Sequence, residues 1–243
     1  MTKSERPLAL VTGAGIRLGR ASAVKLAQSG YDVLVHYNSS REPAQETCDL
    51  ATEAGARSFL TQADLSSEAG VEQLVEFTKG LDHGLSLLVN NASIFFPTAK
   101  PEDWVKHWDT FQMVNLKSPF LLTVGLLPLL RESKGSVVNI VDIWSRFPLK
   151  RFLPYSVAKS GLEALTKSLA LELAPEVRVN GVSPGAALPP ANSDESMDKM
   201  LSQVPLKRYG GADSIADAVE YLSRAHYVTG QVLAVDGGRT VNL

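Results

Sequence analysis

Short apolar runs alternate with longer helical patterns along this 243-residue chain, and that rhythm leaves few folds open. The runs at 8–11, 33–35, 58–62, 85–89, 136–141, 177–182 and 232–235 read as strands. Helical periodicity covers 19–29, 44–54, 71–79, most of 104–130, 156–173 and 214–223. Strands separated by helices pair in parallel, because each crossover returns the chain along the sheet, and the helices then cover both faces. The expected architecture is α/β, a doubly wound parallel sheet with helices on both faces. No linker, composition break or internal repeat divides the chain, so residues 1–243 are expected to form one domain.

Composition removes several classes of function. Lys and Arg total 24 against 26 Asp and Glu, a net charge of −2. That balance offers no electrostatic basis for binding nucleic acid or an anionic membrane. The single cysteine, Cys48, excludes an internal disulfide and a cysteine metal cluster, and the histidines at 36, 83, 107 and 226 lack paired metal-ligand spacing. No metal is expected. Residues 1–7 are polar and lack the apolar core of a signal peptide, and the longest strongly apolar stretch, 119–130, is too short to cross a bilayer. A cytoplasmic protein is expected.

The first apolar run leads into Thr12-Gly13-Ala14-Gly15-Ile16-Arg17-Leu18-Gly19 and then a helix. Glycines between a strand and a helix permit a tight turn, close approach of a pyrophosphate and helix packing on the strand. The helix N-terminus supplies free N–H groups and partial positive charge. The loop therefore points to a Rossmann-type dinucleotide site, with Gly13, Arg17, Leu18 and Gly19 as contacts. At the end of the second run an NAD site places Asp or Glu against the ribose hydroxyls, and this would repel a 2′-phosphate. The chain has His36-Tyr37-Asn38-Ser39-Ser40-Arg41 there. With Arg17 nearby, these groups point to NADPH, and Arg17, His36 and Arg41 are expected to gather around its phosphates.

Further motifs complete a pattern: Ala63-Asp64-Leu65, Asn90-Asn91-Ala92-Ser93, Asn115, Tyr155-Ser156-Val157-Ala158-Lys159, Val182-Ser183-Pro184-Gly185 and Val235-Asp236-Gly237-Gly238. In this order and at these intervals, the chain resembles the short-chain dehydrogenase/reductases over its whole length. The resemblance implies cofactor contacts from Asp64, Leu65, Asn91, Ala92, Tyr155, Lys159, Pro184 and Gly185. It also implies catalytic roles for Tyr155, Lys159 and Asn115, with Lys159 on the nicotinamide ribose and Asn115 holding a relay water. Residues four apart share a helix face, so Lys159 falls beside Tyr155, where its ammonium is expected to lower the phenol pKa.

Three departures narrow the resemblance. The slot thirteen residues before the tyrosine, serine in most of the family, holds Asp142; the loop's middle glycine is Arg17; and Asn-Asn-Ala is followed by Ser93, Ile94 and Phe95. Together these resemble the pteridine reductases. That resemblance implies a dihydropterin substrate, such as dihydrobiopterin or dihydromonapterin, with dihydrofolate a further candidate. It places Arg17, Ser93, Phe95, Asp142 and Tyr155 on the substrate, Phe95 stacking on its ring and Asp142 supporting protonation. Two other readings stay open. One is a short-chain carbonyl or 3-oxoacyl thioester reductase in which Asp142 is incidental; the other is a non-catalytic NADP-binding regulator. A loop over about 185–208 is expected to act as a substrate lid, with Leu188 and Trp144 lining the pocket. His107 and Trp108 read as core or interface residues. By resemblance, the helices within 104–130 and 156–173 bury apolar faces in a homotetramer.

Overall fold

The computed structural model describes residues 6–189 and 201–242. Seven strands, β1 (Leu8–Val11), β2 (Asp32–Tyr37), β3 (Ser58–Gln62), β4 (Leu85–Asn90), β5 (Ser136–Ile140), β6 (Arg178–Pro184) and β7 (Val232–Val235), form one sheet. Their order is β3-β2-β1-β4-β5-β6-β7, and every adjacent pair is parallel. The helices are α1 (Arg17–Gln28), α2 (Arg41–Glu53), α3 (Glu68–Lys79), α4 (Pro101–Gln112), α5 (Ser118–Gly125), α6 (Leu127–Glu132), α7 (Leu153–Leu173) and α8 (Gly211–Arg224).

The strands read as continuous apolar runs because both faces of the sheet are covered. Successive residues of β1 point to opposite faces. Ala9 and Val11 join a core with Ala23 and Leu26 of α1, Ala44 and Cys48 of α2, and Val219 of α8. Leu8 and Leu10 join a second core with Leu74 of α3, Leu122 of α5 and Leu169 of α7. β1 lies between β2 and β4, so the chain reverses its direction of travel across the sheet at this point. In open α/β sheets the binding crevice opens at such a switch, beyond the carboxyl ends of the strands.

Several helices begin earlier than the apolar period suggests, since first turns hold capping and polar residues. Ser67 caps α3, its Oγ accepting from the Gly70 N–H at 3.1 Å. The long helical stretch expected at 104–130 is broken into α4, a π turn (Met113–Lys117), α5 and α6. Pro119 and Pro128 sit in the first turns of α5 and α6, where a missing N–H costs nothing. Among the described residues no helix is long and apolar enough to cross a membrane, and no group of three His, Cys, Asp or Glu side chains could hold a metal. The polar segment 191–198 of the expected lid lies outside the described residues.

Candidate active site

The carboxyl ends of β1 and β4 are tied together by Thr12. Its Oγ accepts from the N–H groups of Asn91 and Ala92, both at 2.9 Å, while the Asn91 side chain donates to the carbonyls of Thr12 (2.8 Å) and Gly13 (3.1 Å). Beneath them Asn90 donates to Asn139 (2.8 Å), and Asn139 to Thr166 of α7 (2.9 Å). Over this floor opens a cavity of about 470 Å³. Gly13, Arg17, Leu18 and Gly19 line one side of it, Tyr37, Asn38 and Ser39 another. Asp64, Leu65, Asn91, Ala92 and Ser93 also line it.

The loop suits a diphosphate. α1 has no side-chain cap and no acidic residue in its first turn, so its N–H groups and positive dipole end stay available to an anion. Gly13 adopts φ +63°, and a Cβ on Gly19 would stand 2.2 Å from the Gly13 carbonyl oxygen. Only hydrogen fits there, which keeps a concave wall of backbone. Arg17 also lies in the left-handed region, at φ +53°. Glycine adopts this conformation freely, whereas other residues incur roughly 1–2 kcal/mol.

The expected cation cluster is corrected at His36. Its ring is buried, Nδ1 accepting from the Gly13 N–H (3.1 Å) and Nε2 lying 3.0 Å from the Ala63 carbonyl. This pairing requires the neutral ring, with the proton on Nε2. Burial lowers the His36 pKa from 6.5 to about 4, against the opposing pull of the Ala63 carbonyl. His36 thus braces the loop through Gly13 and lines the cavity as a neutral ring, bringing no positive charge. Arg41 starts α2 and is not among the cavity-lining residues, so Arg17 is the cation on the wall.

A pH dependence of folding follows. The unfolded chain binds the His36 proton near pH 6.5 and the folded one only near 4. Stability from the neutral ring is therefore complete above pH 6.5 and lost as pH falls towards 4, by about 3 kcal/mol in all. Denaturant melts at pH 7, 5 and 4 should show that slope, and His36→Gln should flatten it; an equal slope in the variant would place the effect elsewhere.

Asp142, Tyr155 and Lys159 converge where β5 ends against α7. Asp142 is extended, caps a 3-10 turn (Ile143–Ser145) by accepting from the Trp144 N–H at 3.0 Å, and receives the Tyr155 hydroxyl at 2.5 Å. Lys159 lies 5.9 Å from the Tyr155 ring centre and donates to the Ile140 carbonyl at 2.7 Å. Burial raises the Asp142 pKa, opposed by the bonds from Tyr155 and Trp144 and the charges of Lys159 and Arg239. Burial lowers Lys159 to about 8. Tyr155 departs from expectation: burial and then the Asp142 charge raise its pKa well above 10. The ammonium does not offset a carboxylate in direct contact, so Tyr155 stands as a phenol.

Supporting residues hold this arrangement. Glu163, two turns beyond Tyr155 on α7, accepts from Ser145 (2.7 Å) and Arg146 (2.9 Å), clamping the turn after Asp142 to the helix. The π turn presents Asn115 to the segment after β4, where its amide bonds the Ile94 N–H (3.0 Å) and carbonyl (3.1 Å). Phe95 is 54% exposed. One face stacks on Phe152 at 4.5 Å, and its edge contact with Tyr155 is 4.8 Å between ring centres. Pro184 and Gly185 close β6, where the Gly185 N–H reaches the Val235 carbonyl at 3.1 Å. Neither they nor Leu188 line the cavity, and Trp144 packs against Arg239. His107 meets the edge of Phe96, and Trp108 is 39% exposed.

Sequence reasoning missed Thr12, Phe152, Glu163 and Arg239. Position gave a signal for Phe152 alone, three residues before Tyr155 at the start of its helix.

Comparisons with known proteins agree with this fold. The family model described as enoyl-(acyl carrier protein) reductase matches residues 13–240. The chain is 35% identical to the 3-oxoacyl-[acyl-carrier-protein] reductase FabG of Staphylococcus aureus, over 98% of each protein. It is 32% identical to glucose 1-dehydrogenase 2 of Bacillus subtilis, over 96% of this chain and 94% of that one. The crystal structure of acetoin dehydrogenase from Enterobacter cloacae superposes with a TM-score of 0.91 at 32% identity, covering 99% of this chain and 98% of the other. None of these three is named for a pteridine, and by name FabG fits the 3-oxoacyl reductase alternative better than the pteridine reading. The chain belongs to the short-chain dehydrogenase/reductase family, oxidoreductases that work with NAD(H) or NADP(H).

Proposed function

We propose that this protein is an NADPH-dependent reductase acting on a carbon–nitrogen double bond of an amino-bearing heterocycle, a dihydropterin. One observation carries this: a hydroxyl donor, Tyr155, lies 2.5 Å from a carboxylate acceptor, Asp142, in the slot the family gives to serine. A ring nitrogen beside an N–H group offers the matching acceptor and donor. A ketone offers acceptors only, brings no N–H donor to Asp142 and develops negative charge against it. When bound, NADPH supplies hydride. Gly13, Gly19 and the start of α1 suit its diphosphate, while Arg17, Asn38 and Ser39 suit a 2′-phosphate.

Tyr155 Oη delivers the proton to the ring nitrogen. Its raised pKa keeps it protonated at neutral pH, which favours reduction over the reverse direction, where a phenolate would be needed as base. Lys159, at about 8, holds a proton weakly enough to supply it for reprotonating the phenolate that this transfer leaves. Asp142 accepts from the amino group, and the exposed face of Phe95 supports the flat ring. Arg17, on the cavity wall, offers its cation to the cofactor's phosphates. A homotetramer fits the same reading: Phe120, Val124, Val157 and Leu171 leave apolar surface exposed on α5 and α7.

A second reading, reduction of a 3-oxoacyl thioester, is favoured by the likeness to FabG. NADPH oxidation measured in parallel with 7,8-dihydrobiopterin, dihydromonapterin, dihydrofolate and an acetoacetyl thioester separates them. Turnover of a dihydropterin is expected; activity on the thioester alone overturns the pteridine reading. NADH preferred over NADPH would overturn the cofactor assignment.

A further inference from the structure

No step of the proton transfer uses Glu163, a buried carboxylate on α7. The residue is 7% exposed and collects the Ser145 hydroxyl at 2.7 Å, Arg146 Nε at 2.9 and 3.0 Å, and Lys167 Nζ at 2.8 Å. Burial opposes its charge, but the bonds from Lys167, Ser145 and Arg146 outweigh it and hold the carboxyl below its usual range. An apolar side chain would fill this place without desolvating a charge, so what the carboxylate adds is direction.

Three positions on one face of α7 grip the segment after Asp142. The Ser156 hydroxyl accepts from the Leu149 N–H at 3.3 Å, the Ser160 hydroxyl donates to the Ser145 carbonyl, and Glu163 takes the Ser145 hydroxyl. Ser145 is therefore fixed at both its hydroxyl and its carbonyl. Its N–H closes the 3-10 turn on the Asp142 carbonyl at 3.1 Å, and the Trp144 N–H of the same turn donates to Asp142 Oδ1. Asp142 Oδ2 receives the Tyr155 hydroxyl, which stands on α7 again. The bonds thus form a closed circuit: from Glu163 to Ser145, along the turn to Asp142, across to Tyr155 and back along the helix. A three-residue 3-10 turn has few and poorly aligned bonds of its own, so its anchors on α7 set where the Asp142 carboxylate stands.

We propose that Glu163 is a positioning residue for the Asp142–Tyr155 pair: by fixing Ser145 it holds the turn that Asp142 caps at the place where the carboxylate meets the Tyr155 hydroxyl. The role rests on Asp142 and Tyr155 being the reacting pair and not on which substrate they serve. The test uses no substrate, so failure of the pteridine reading leaves it intact.

The protein is labelled with carbon-13 at the tyrosine ζ carbon, and the Tyr155 resonance is identified by its loss in Tyr155→Phe. The difference in its chemical shift between the native protein and Asp142→Ala measures the bond to the carboxylate. Glu163→Ala is expected to lose about half of that difference or more, because the freed turn lets Asp142 leave the hydroxyl. A carboxylate that only stabilised the fold would lower the melting temperature and leave the resonance where it is. A native shift in folded Glu163→Ala therefore overturns the proposal, and so does an Asp142→Ala shift equal to the native one, which leaves no bond to position. If Glu163→Ala does not fold, Ser145→Ala, which cuts the link and leaves Arg146 and Lys167 on Glu163, should move the resonance in the same direction by a smaller amount; no movement overturns the proposal equally.

Discussion

Asp142→Ser is expected to lower kcat/KM for a dihydropterin by about 10²–10³-fold and to raise turnover of an acetoacetyl thioester. The carboxylate accepts at 2.5 Å from Tyr155 and sits where the family serine would donate to a carbonyl oxygen. Serine restores that donor and removes the negative charge opposing an alkoxide. It also removes the acceptor for an amino group and lets the Tyr155 pKa fall, since the Asp142 charge is one cause of its elevation. Asp142→Asn separates the two effects: it retains shape and acceptor but no charge, so its loss should be smaller than that of the serine variant. Steady-state kinetics on both substrates decides. Unchanged pteridine kinetics in Asp142→Ser would remove Asp142 from the mechanism.

Gly19→Ala should act as strongly on the cofactor. The added Cβ would meet the Gly13 carbonyl oxygen at 2.2 Å, the Asn91 amide nitrogen at 2.6 Å and Ala14 Cα at 2.9 Å. Two of these are backbone atoms of the loop itself, so relief requires the loop to move. Affinity for NADPH, read by fluorescence or calorimetry, is expected to fall at least 100-fold, with roughly 2–3 kcal/mol lost from stability. Gly30→Ala is the control. Gly30 also carries a positive φ, +96°, but nothing lies within 4 Å of its added Cβ. Its cost is confined to backbone strain, about 1 kcal/mol, and NADPH binding should be unaffected. Normal NADPH affinity in Gly19→Ala would end the assignment of this loop as the diphosphate cradle.

The parts legible in sequence are those written over short distances along the chain. Strand periodicity, the loop between β1 and α1, and the four-residue step from Tyr155 to Lys159 each belong to one element or one junction. Their geometry follows from local backbone rules. The family's spacing also marks Asp142 as a departure in the sequence alone. The helix start at Glu68 was less legible because a polar first turn carries no apolar period. The break at 113–117 was hidden because a π turn changes backbone pairing and not composition.

Charge states were beyond the sequence. His36 looked like a cation for phosphate; the register of β2 against β3 buries it beneath the loop and makes it neutral. Lys159 was expected to lower the Tyr155 pKa, and burial, with the contact to Asp142 second, reverses the sign. Phe95 was expected to stack on a ring, and the structure shows one face already covered by Phe152. By itself the sequence determined a seven-strand parallel sheet and the local motifs from which a dinucleotide loop and the reacting groups are proposed. Only the tertiary structure decided which of those groups are charged, which are braces, and that Arg239 arrives beside Trp144 from the far end of the chain. Local pattern encodes conformation, whereas ionisation depends on burial and on neighbours that only the folded chain brings together.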